Sequence, residues 1–428
     1  MIKTVSPGSL SGTLAVMPSK SASHRAVMMA AMAKGETSLE PLQLSRDIVA
    51  TLSCAKALGL VGDVTTHPSD QPGFVRVTLD GGQDTPAGPR MLDCGESGST
   101  LRFFVPLALD GHGEVTFIGH GRLMARPMSV YEALFKPLGV RWTQQGDRLT
   151  VEGQLISGEY ALRGDVSSQF ITGLLLALPR LDGDSVIRIT TQLESRAYVE
   201  LTRRAQKTFG VVSYWEDDHT LVVPGRQKAI SPGRVHVESD WSHAAFYVTA
   251  GALSSRGPVT LTGLDMDSTQ GDRAIVDILR DMGAIINRYE ETLSICSSRL
   301  HAVTVDASQI PDLVPILAVA MAAAEGESRI TGAARLRIKE SDRLSAMHAA
   351  LTACGVDVTE LPDGLVIRGG RPLHAARIDG ANDHRIVMAM AVASAIADGE
   401  IEISDAEAVA KSAPAFWEEF ASLGGKFR

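Results

Sequence analysis

One pattern recurs six times along the 428 residues. Each copy is a polar turn rich in Asp, Ser, Gly or Asn, followed by an apolar stretch of helical length. The turns open at Pro18, Asp93, Gly164, Glu238, Asp306 and Asp379, at spacings of 75, 71, 74, 68 and 73 residues. They run into AVMMAAMA, FFVPLAL, ITGLLLAL, AAFYVTAGA, LVPILAVAMA and IVMAMAVASA. A second pattern interleaves with the first. An amphipathic helix ends at a glycine and a strand-like run follows, at Gly59, Gly139, Gly210, Gly283, Gly355 and Gly424. Those glycines are 80, 71, 73, 72 and 69 residues apart. Glycine just past a helix end is the usual left-handed cap. Two independent patterns at one period near 71 residues define six copies of one supersecondary unit.

Each unit reads strand, helix, strand, helix, then one or two strands, which places the chain in the α/β class. The β-rich runs VRVTLD (75–80), RLTVEG (148–153), HTLVVPG (219–225), TLSICS (292–297) and GLVIRGG (364–370) supply the strands. The first helix of each unit is apolar nearly all round, so it is expected to be buried. The second carries a polar face and is expected outside. The length suits two or three domains. With 50 acidic against 41 basic residues the formal charge is −9, which excludes a general nucleic-acid binder. Cys54, Cys94, Cys296 and Cys354 form no C-x-x-C pair, so neither a zinc site nor a dithiol motif is expected. The opening Met1-Ile-Lys-Thr-Val has no apolar leader. The apolar runs 314–324 and 386–397 are too short to span a bilayer. A soluble, cytoplasmic protein is expected.

The polar turns sit where unpaired backbone N–H groups and the helix dipole favour anions. Capping by Ser, Asp or Asn accounts for the fourth turn. It does not account for Lys20, Arg25, Arg102, His384 or Arg385. Further cations lie in Arg122-Leu-Met-Ala-Arg126-Pro, in Arg335-Leu-Arg-Ile-Lys339-Glu340-Ser-Asp342-Arg343 and at Lys411. Arginine forks take carboxylate and phosphate bidentately, and lysine supplies a point charge. Converging, these groups would hold a ligand with more than one anionic group.

The segments Pro18-Ser-Lys20-Ser21-x-x-His24-Arg25, Ser167-Ser168-Gln169-Phe170, Lys339-Glu340-Ser-Asp342-Arg343 and Asn382-Asp383-His384-Arg385 resemble those of the EPSP synthase (3-phosphoshikimate 1-carboxyvinyltransferase) family. The likeness covers the whole chain in order. It implies a two-lobed enolpyruvyl transferase fold of six βαβαββ-type repeats, three per lobe, with buried helices surrounded by sheets and their N-termini towards a cleft. One lobe would be 18–237; the other would be 238–428 with the N-terminal strand of 1–17. The family reaction joins shikimate 3-phosphate and phosphoenolpyruvate by addition and elimination through a tetrahedral intermediate, releasing phosphate. By resemblance, Lys20, Arg122, Arg343, Arg385 and Lys411 surround phosphoenolpyruvate, with Gly98 and Gln169 nearby. Lys20, Ser21, Arg25, Ser167, Ser168, Gln169, Ser195, Tyr198, Asp312 and Lys339 hold shikimate 3-phosphate. Glu340 and Lys20 serve proton traffic at C3 and the phosphate, and Asp312 serves the 5-hydroxyl. The alternative for Asp312 is a helix cap. No cofactor, metal, nucleic acid or membrane is implied, and a monomer that compacts on binding shikimate 3-phosphate is expected.

Two departures and one retained position stand out. Trp241 and His243 occupy the fourth turn where many relatives have small residues. Arg335 replaces an Asn of some relatives, and either pairs with phosphate or faces solvent. Gly98 is retained where alanine confers tolerance of glyphosate, so inhibition competitive with phosphoenolpyruvate is expected. The UDP-N-acetylglucosamine enolpyruvyl transferase family would carry Lys-Asn in the first motif and a loop cysteine. Here Lys20-Ser21 stands, and Cys94 reads as a packing residue. Gly95-Glu-Ser-Gly-Ser-Thr lacks the Gly-Lys-[Ser/Thr] of a nucleotide-binding loop, since Leu101 and Arg102 follow.

Overall fold

The computed structural model describes residues 1–254 and 256–428. The chain forms two compact units, Lys20–Val237 and Met1–Ser19 with Glu238–Arg428. Pro18 and Ser19, read from sequence as the start of the other lobe, stay with the second of these. Pro18 bridges Ser239, and the Ser19 amide donates to the Glu238 carbonyl at 2.7 Å.

Each unit repeats one sheet wiring three times. A buried helix precedes the second of two parallel strands, and a hairpin, or in the sixth repeat a single strand, adds antiparallel to that second strand. In Lys20–Val237 the parallel pairs are Arg234–His236 with Gly35–Leu42, Arg90–Asp93 with Val115–Ile118, and Glu159–Leu162 with Ser185–Ile189. In the other unit they are Gly12–Ala15 with Val259–Thr262, Thr304–Asp306 with Gly326–Thr331, and Ala376–Ile378 with Ile401–Ile403. The sequence runs expected to be strands lie in the hairpins, for example Thr292–Cys296 and Gly364–Gly369.

Closure of each unit uses strands the local pattern did not reveal. The first repeat takes its leading strand from Arg234–His236, at the far end of its own unit. The N-terminal segment supplies two strands, where one was expected. Lys3–Val5 replaces the hairpin of the sixth repeat, and Gly12–Ala15 leads the fourth. Both ends of each sequence block are thereby tied in by backbone hydrogen bonds.

The helices Lys20–Met32, Gly98–Ala108 and Ser168–Ala177 are buried along most of their length, as are Trp241–Leu253, Val314–Ala323 and His384–Ala393. Their all-round apolar character has no solvent face to serve. The second helices bury one stripe only. Arg46–Leu58 buries Ile48, Thr51, Ala55 and Leu58, a helical period against the core. The six capping glycines all have φ between 76° and 100°. At Gly59 a Cβ would also lie 2.3 Å from Cδ of Pro86, so glycine is required there twice over. Among the described residues no helix is long and apolar enough to cross a membrane.

Candidate active site

In Lys20–Val237 the sequence-predicted residues gather at the starts of the buried helices. Lys20 opens the first helix, and its ammonium donates to Asp47 Oδ2 at 3.1 Å. Arg25 lies one turn deeper and is buried. Its guanidinium donates to the Ser21 carbonyl at 2.8 Å, to the Tyr198 carbonyl at 3.0 Å and to Thr202 Oγ1 at 2.9 Å. Burial brings it down to about 10. Arg25 thus grips the backbone of two other predicted residues, Ser21 and Tyr198. A hydroxyl chain ties this helix to Arg46–Leu58 and Gly98–Ala108 below. His24 Nδ1 meets Thr51 Oγ1 at 2.8 Å, Thr51 meets Thr100 at 2.7 Å, and Thr100 donates to Ser97 Oγ at 2.7 Å. Burial lowers His24 well below its usual value and keeps it neutral.

The second helix start holds a tight cluster. Ser97 caps it, accepting from the Thr100 amide at 3.2 Å. A Cβ on Gly98 would lie 2.8 Å from Nη1 of Arg102, 2.8 Å from Nη1 of Arg126 and 3.5 Å from Gln169 Oε1. Arg102 donates to Gln169 Oε1 at 2.8 Å, and Gln169 Nε2 donates to Ser99 Oγ at 2.9 Å. Arg122, expected here, is exposed at the head of the turn Leu123–Ala125. Arg126, four residues on, is buried in its place. Arg126 is thus the arginine of this segment that the structure brings to Gly98. Sequence reasoning recognised Arg102 as a cation without giving it a place. Ser167 caps the third helix, accepting from the Gln169 amide at 3.3 Å, and Ser168 is buried behind it. Ser195 is buried in the left-handed region at φ 55°, ahead of the helix carrying Tyr198. Cys94 is buried beside Cys54, and burial raises its thiol well above the usual range, which suits packing and not nucleophilic chemistry.

In the other unit one guanidinium organises the site. Arg343 is 1% exposed and meets three carboxylates: Asp383 at 2.7 Å, Asp312 at 2.9 Å and Glu340 at 2.9 Å. Burial alone would lower it, yet those charges hold it above its ordinary value. Asp383 also caps the helix His384–Ala393, accepting from the Arg385 amide at 2.9 Å. Burial works to raise its carboxyl, and the Arg343 charge keeps it low. Arg385 donates to the Asp312 carbonyl at 3.1 Å and comes within 3.4 Å of its carboxylate. Asp312 is therefore held between two arginines, by contacts beyond those of a helix cap. Lys411 donates to the Asn382 carbonyl at 2.7 Å, at the turn that presents Arg385. Burial brings the Lys339 ammonium down to about 8, against the opposing pull of Asp312. Asp272, unremarked in the sequence, accepts from Ser242 and is pushed up to about 7 by burial and the Asp312 charge.

The departures resolve locally. Arg335 is buried and donates to the Ser308 carbonyl at 2.7 Å, so it does not face solvent. Trp241 is fully buried with its indole N–H on the Asp265 carbonyl at 3.0 Å. His243 lies 2.9 Å from Glu419, which also accepts from Tyr247 at 2.9 Å. Asp240 caps this turn through the His243 amide at 2.9 Å.

The whole chain superposes on the enolpyruvyl transferase NikO from Streptomyces tendae with a TM-score of 0.76 at 18% identity, covering 98% of that chain. The fold is therefore that of the enolpyruvyl transferases. An EPSP synthase structure from Acinetobacter baumannii matches 100% of both chains with a TM-score of 0.81 and 26% identity. Residues 5–420 fit the family model for EPSP synthase (3-phosphoshikimate 1-carboxyvinyltransferase). The 3-phosphoshikimate 1-carboxyvinyltransferase of Clostridium novyi is 44% identical over 424 residues, 98% of this chain and 96% of that protein. The Clostridium perfringens protein of the same name is 40% identical over 425 residues, 98% of each. The chain belongs to the EPSP synthase family.

Proposed function

We propose that the protein transfers the 1-carboxyvinyl group of phosphoenolpyruvate to the 5-hydroxyl of shikimate 3-phosphate, releasing phosphate. The observation that carries this reading is the Arg343 cage. It fixes two acids, Asp312 and Glu340, among the cations Lys339, Arg343 and Arg385. A protein that only bound anions would not need two carboxylates held in that company. A phosphate-release assay tests it: release should require both substrates and cease when either is omitted.

In this reading Lys20, Arg343, Arg385 and Lys411 take phosphoenolpyruvate, with Arg126 and Arg102 replacing Arg122 in that role beside Gly98 and Gln169. Ser21, Ser167, Ser168, Gln169, Ser195, Tyr198, Asp312 and Lys339 take shikimate 3-phosphate, Lys20 reaches both substrates, and Arg25 holds Ser21 and Tyr198 in place. Glu340 and Lys20 carry protons at C3 and the phosphate. Asp312 receives the proton of the 5-hydroxyl as it adds to C2. Elimination then removes a C3 proton and phosphate. The protein works without a cofactor, as a cytoplasmic monomer; light scattering should return a mass near 45.5 kDa.

Two expectations follow from the geometry. Gly98→Ala should leave stability nearly unchanged, because its Cβ meets the movable ends of Arg102 and Arg126. Displacing those guanidiniums should raise KM for phosphoenolpyruvate roughly 10-fold to 100-fold, a loss of about 1.4 to 2.8 kcal/mol. Glyphosate inhibition should weaken at least as much. Steady-state kinetics with both ligands reads this, and an unchanged KM would remove Gly98 from the site. Lys339, at about 8, should lose its charge as pH rises through that value. KM for shikimate 3-phosphate should then climb between pH 7.5 and 9.5, by up to about tenfold per pH unit. Lys339→Arg, which stays charged, should flatten that climb.

A further inference from the structure

A cavity of about 340 Å³ opens in the unit Lys20–Val237, away from the helix starts described above. It lies at the opposite ends of two of the same helices. Met29 and Met32 come from the last turns of Lys20–Met32, and Leu175 and Leu176 from those of Ser168–Ala177; Val211 completes an apolar floor. A 13-residue helix rises about 20 Å, so the cavity is remote from Lys20. Lys34, Arg180 and Lys228 stand at the rim with one acid, Asp84. The rim is fixed by backbone: the Lys34 amide donates to the Ala229 carbonyl at 3.0 Å, and the Ser231 amide to the Lys34 carbonyl at 3.1 Å. Beside it two large apolar side chains are left in water, Val212 at 55% and Ile230 at 65% exposure.

Cations after helix C-termini are expected to answer the negative ends of the dipoles. That need is too small here. Three helix ends meet here, the third being that of Arg196–Thr208, which brings Gln206 to the wall; at roughly half a charge each they sum to about −1.5, and Asp84 brings the total to about −2.5. Three cations leave a surplus of about half a positive charge. The dipoles also explain neither the apolar floor nor the exposed Val212 and Ile230. A pocket of this size, with an apolar floor and polar and charged side chains above it, has the form of a small-molecule site.

We propose that this cavity binds a small organic monoanion with an apolar body, of the aryl or short-chain carboxylate and sulfonate class. The apolar body lies on the two methionines and leucines, where the flexible thioethers adapt to its shape. The acid group stays at the rim among Lys34, Arg180 and Lys228. The site is independent of the proposed reaction, although its floor belongs to helices that begin at Lys20 and Ser168.

The probe is 8-anilino-1-naphthalenesulfonate, with N-phenyl-1-naphthylamine as the same body lacking the acid. Titration of the full chain, with phosphoenolpyruvate and shikimate 3-phosphate both present, should show one saturable sulfonate site. The neutral analogue should bind at least tenfold more weakly. Lys34→Glu with Lys228→Glu, at exposed positions that leave the core intact, should weaken the sulfonate at least tenfold and leave the neutral analogue unchanged. Ala229→Trp, which fills the cavity, should weaken both. Sulfonate binding unaffected by the charge reversal, or equal affinity for the neutral analogue, overturns the proposal. Neither outcome depends on phosphate release, which native protein and the charge-reversed variant are measured for in parallel.

Discussion

Arg343→Ala is expected to abolish turnover and to cost about 3 to 5 kcal/mol of stability, a large part of the roughly 5 to 15 kcal/mol that holds a protein together. The side chain is 2% exposed and compensates three carboxylates, of which Asp383 is itself fully buried. Removing the guanidinium strands those charges. The pH dependence separates this cause from simple loss of packing. In the native protein Asp383 is held below its usual value, so its contribution is present above pH 4 and is lost as pH falls. Without Arg343 the same carboxyl, desolvated and uncompensated, is raised. Its penalty is then absent at low pH and grows as pH rises through the new value. Denaturant titrations from pH 2 to pH 8 should therefore show native stability rising with pH below pH 4 and level above it, and the variant's stability falling as pH rises above pH 4. Adding Asp383→Asn to Arg343→Ala should recover stability and leave turnover absent. A parallel pH dependence in both proteins would mean that the cage is not electrostatic.

What could be read from sequence was what repeats locally. The polar turns, the all-round apolar helices and the capping glycines each depend on neighbours within a few residues, and each copy repeats the same need. The units therefore declared themselves six times. The closing strands did not, because their identity is set by distant partners. Thr4 pairs with Glu402 and Leu14 with Leu261, and neither three nor four residues carry enough alternation to announce a strand. Arg234–His236 is partly exposed and equally silent. In the site, residue type was legible but direction was not. Arg122 and Arg126 have the same chemistry, and only the phase of the turn Leu123–Ala125 decides which points inward. Arg335 looked able to reach either a ligand or water, and the Ser308 carbonyl holds it. The triple use of Arg343 was invisible, since Asp312, Glu340 and Asp383 come from three separate turns.

Asp312→Asn and Glu340→Gln should each lower kcat by about 100-fold to 10,000-fold, the usual worth of a positioned proton-transfer group. Both replacements keep shape and keep an oxygen that can accept from Arg343, now at 2.9 Å from each acid. The cage should thus survive with little change in stability or in KM. Loss of packing would instead lower stability and kcat together. The two variants are told apart by which proton stalls. Glu340→Gln should suppress uptake of solvent deuterium at C3 of phosphoenolpyruvate, because the group that delivers the proton is gone. Asp312→Asn should slow attack by the 5-hydroxyl, and its rate should regain part of its loss as pH rises and hydroxide takes over as base. Single-turnover phosphate release and mass analysis of the product in deuterium oxide measure both. Turnover within tenfold of native in either variant would remove that residue from the proton path. The remaining acid, with Lys20, would then have to serve both the addition and the elimination.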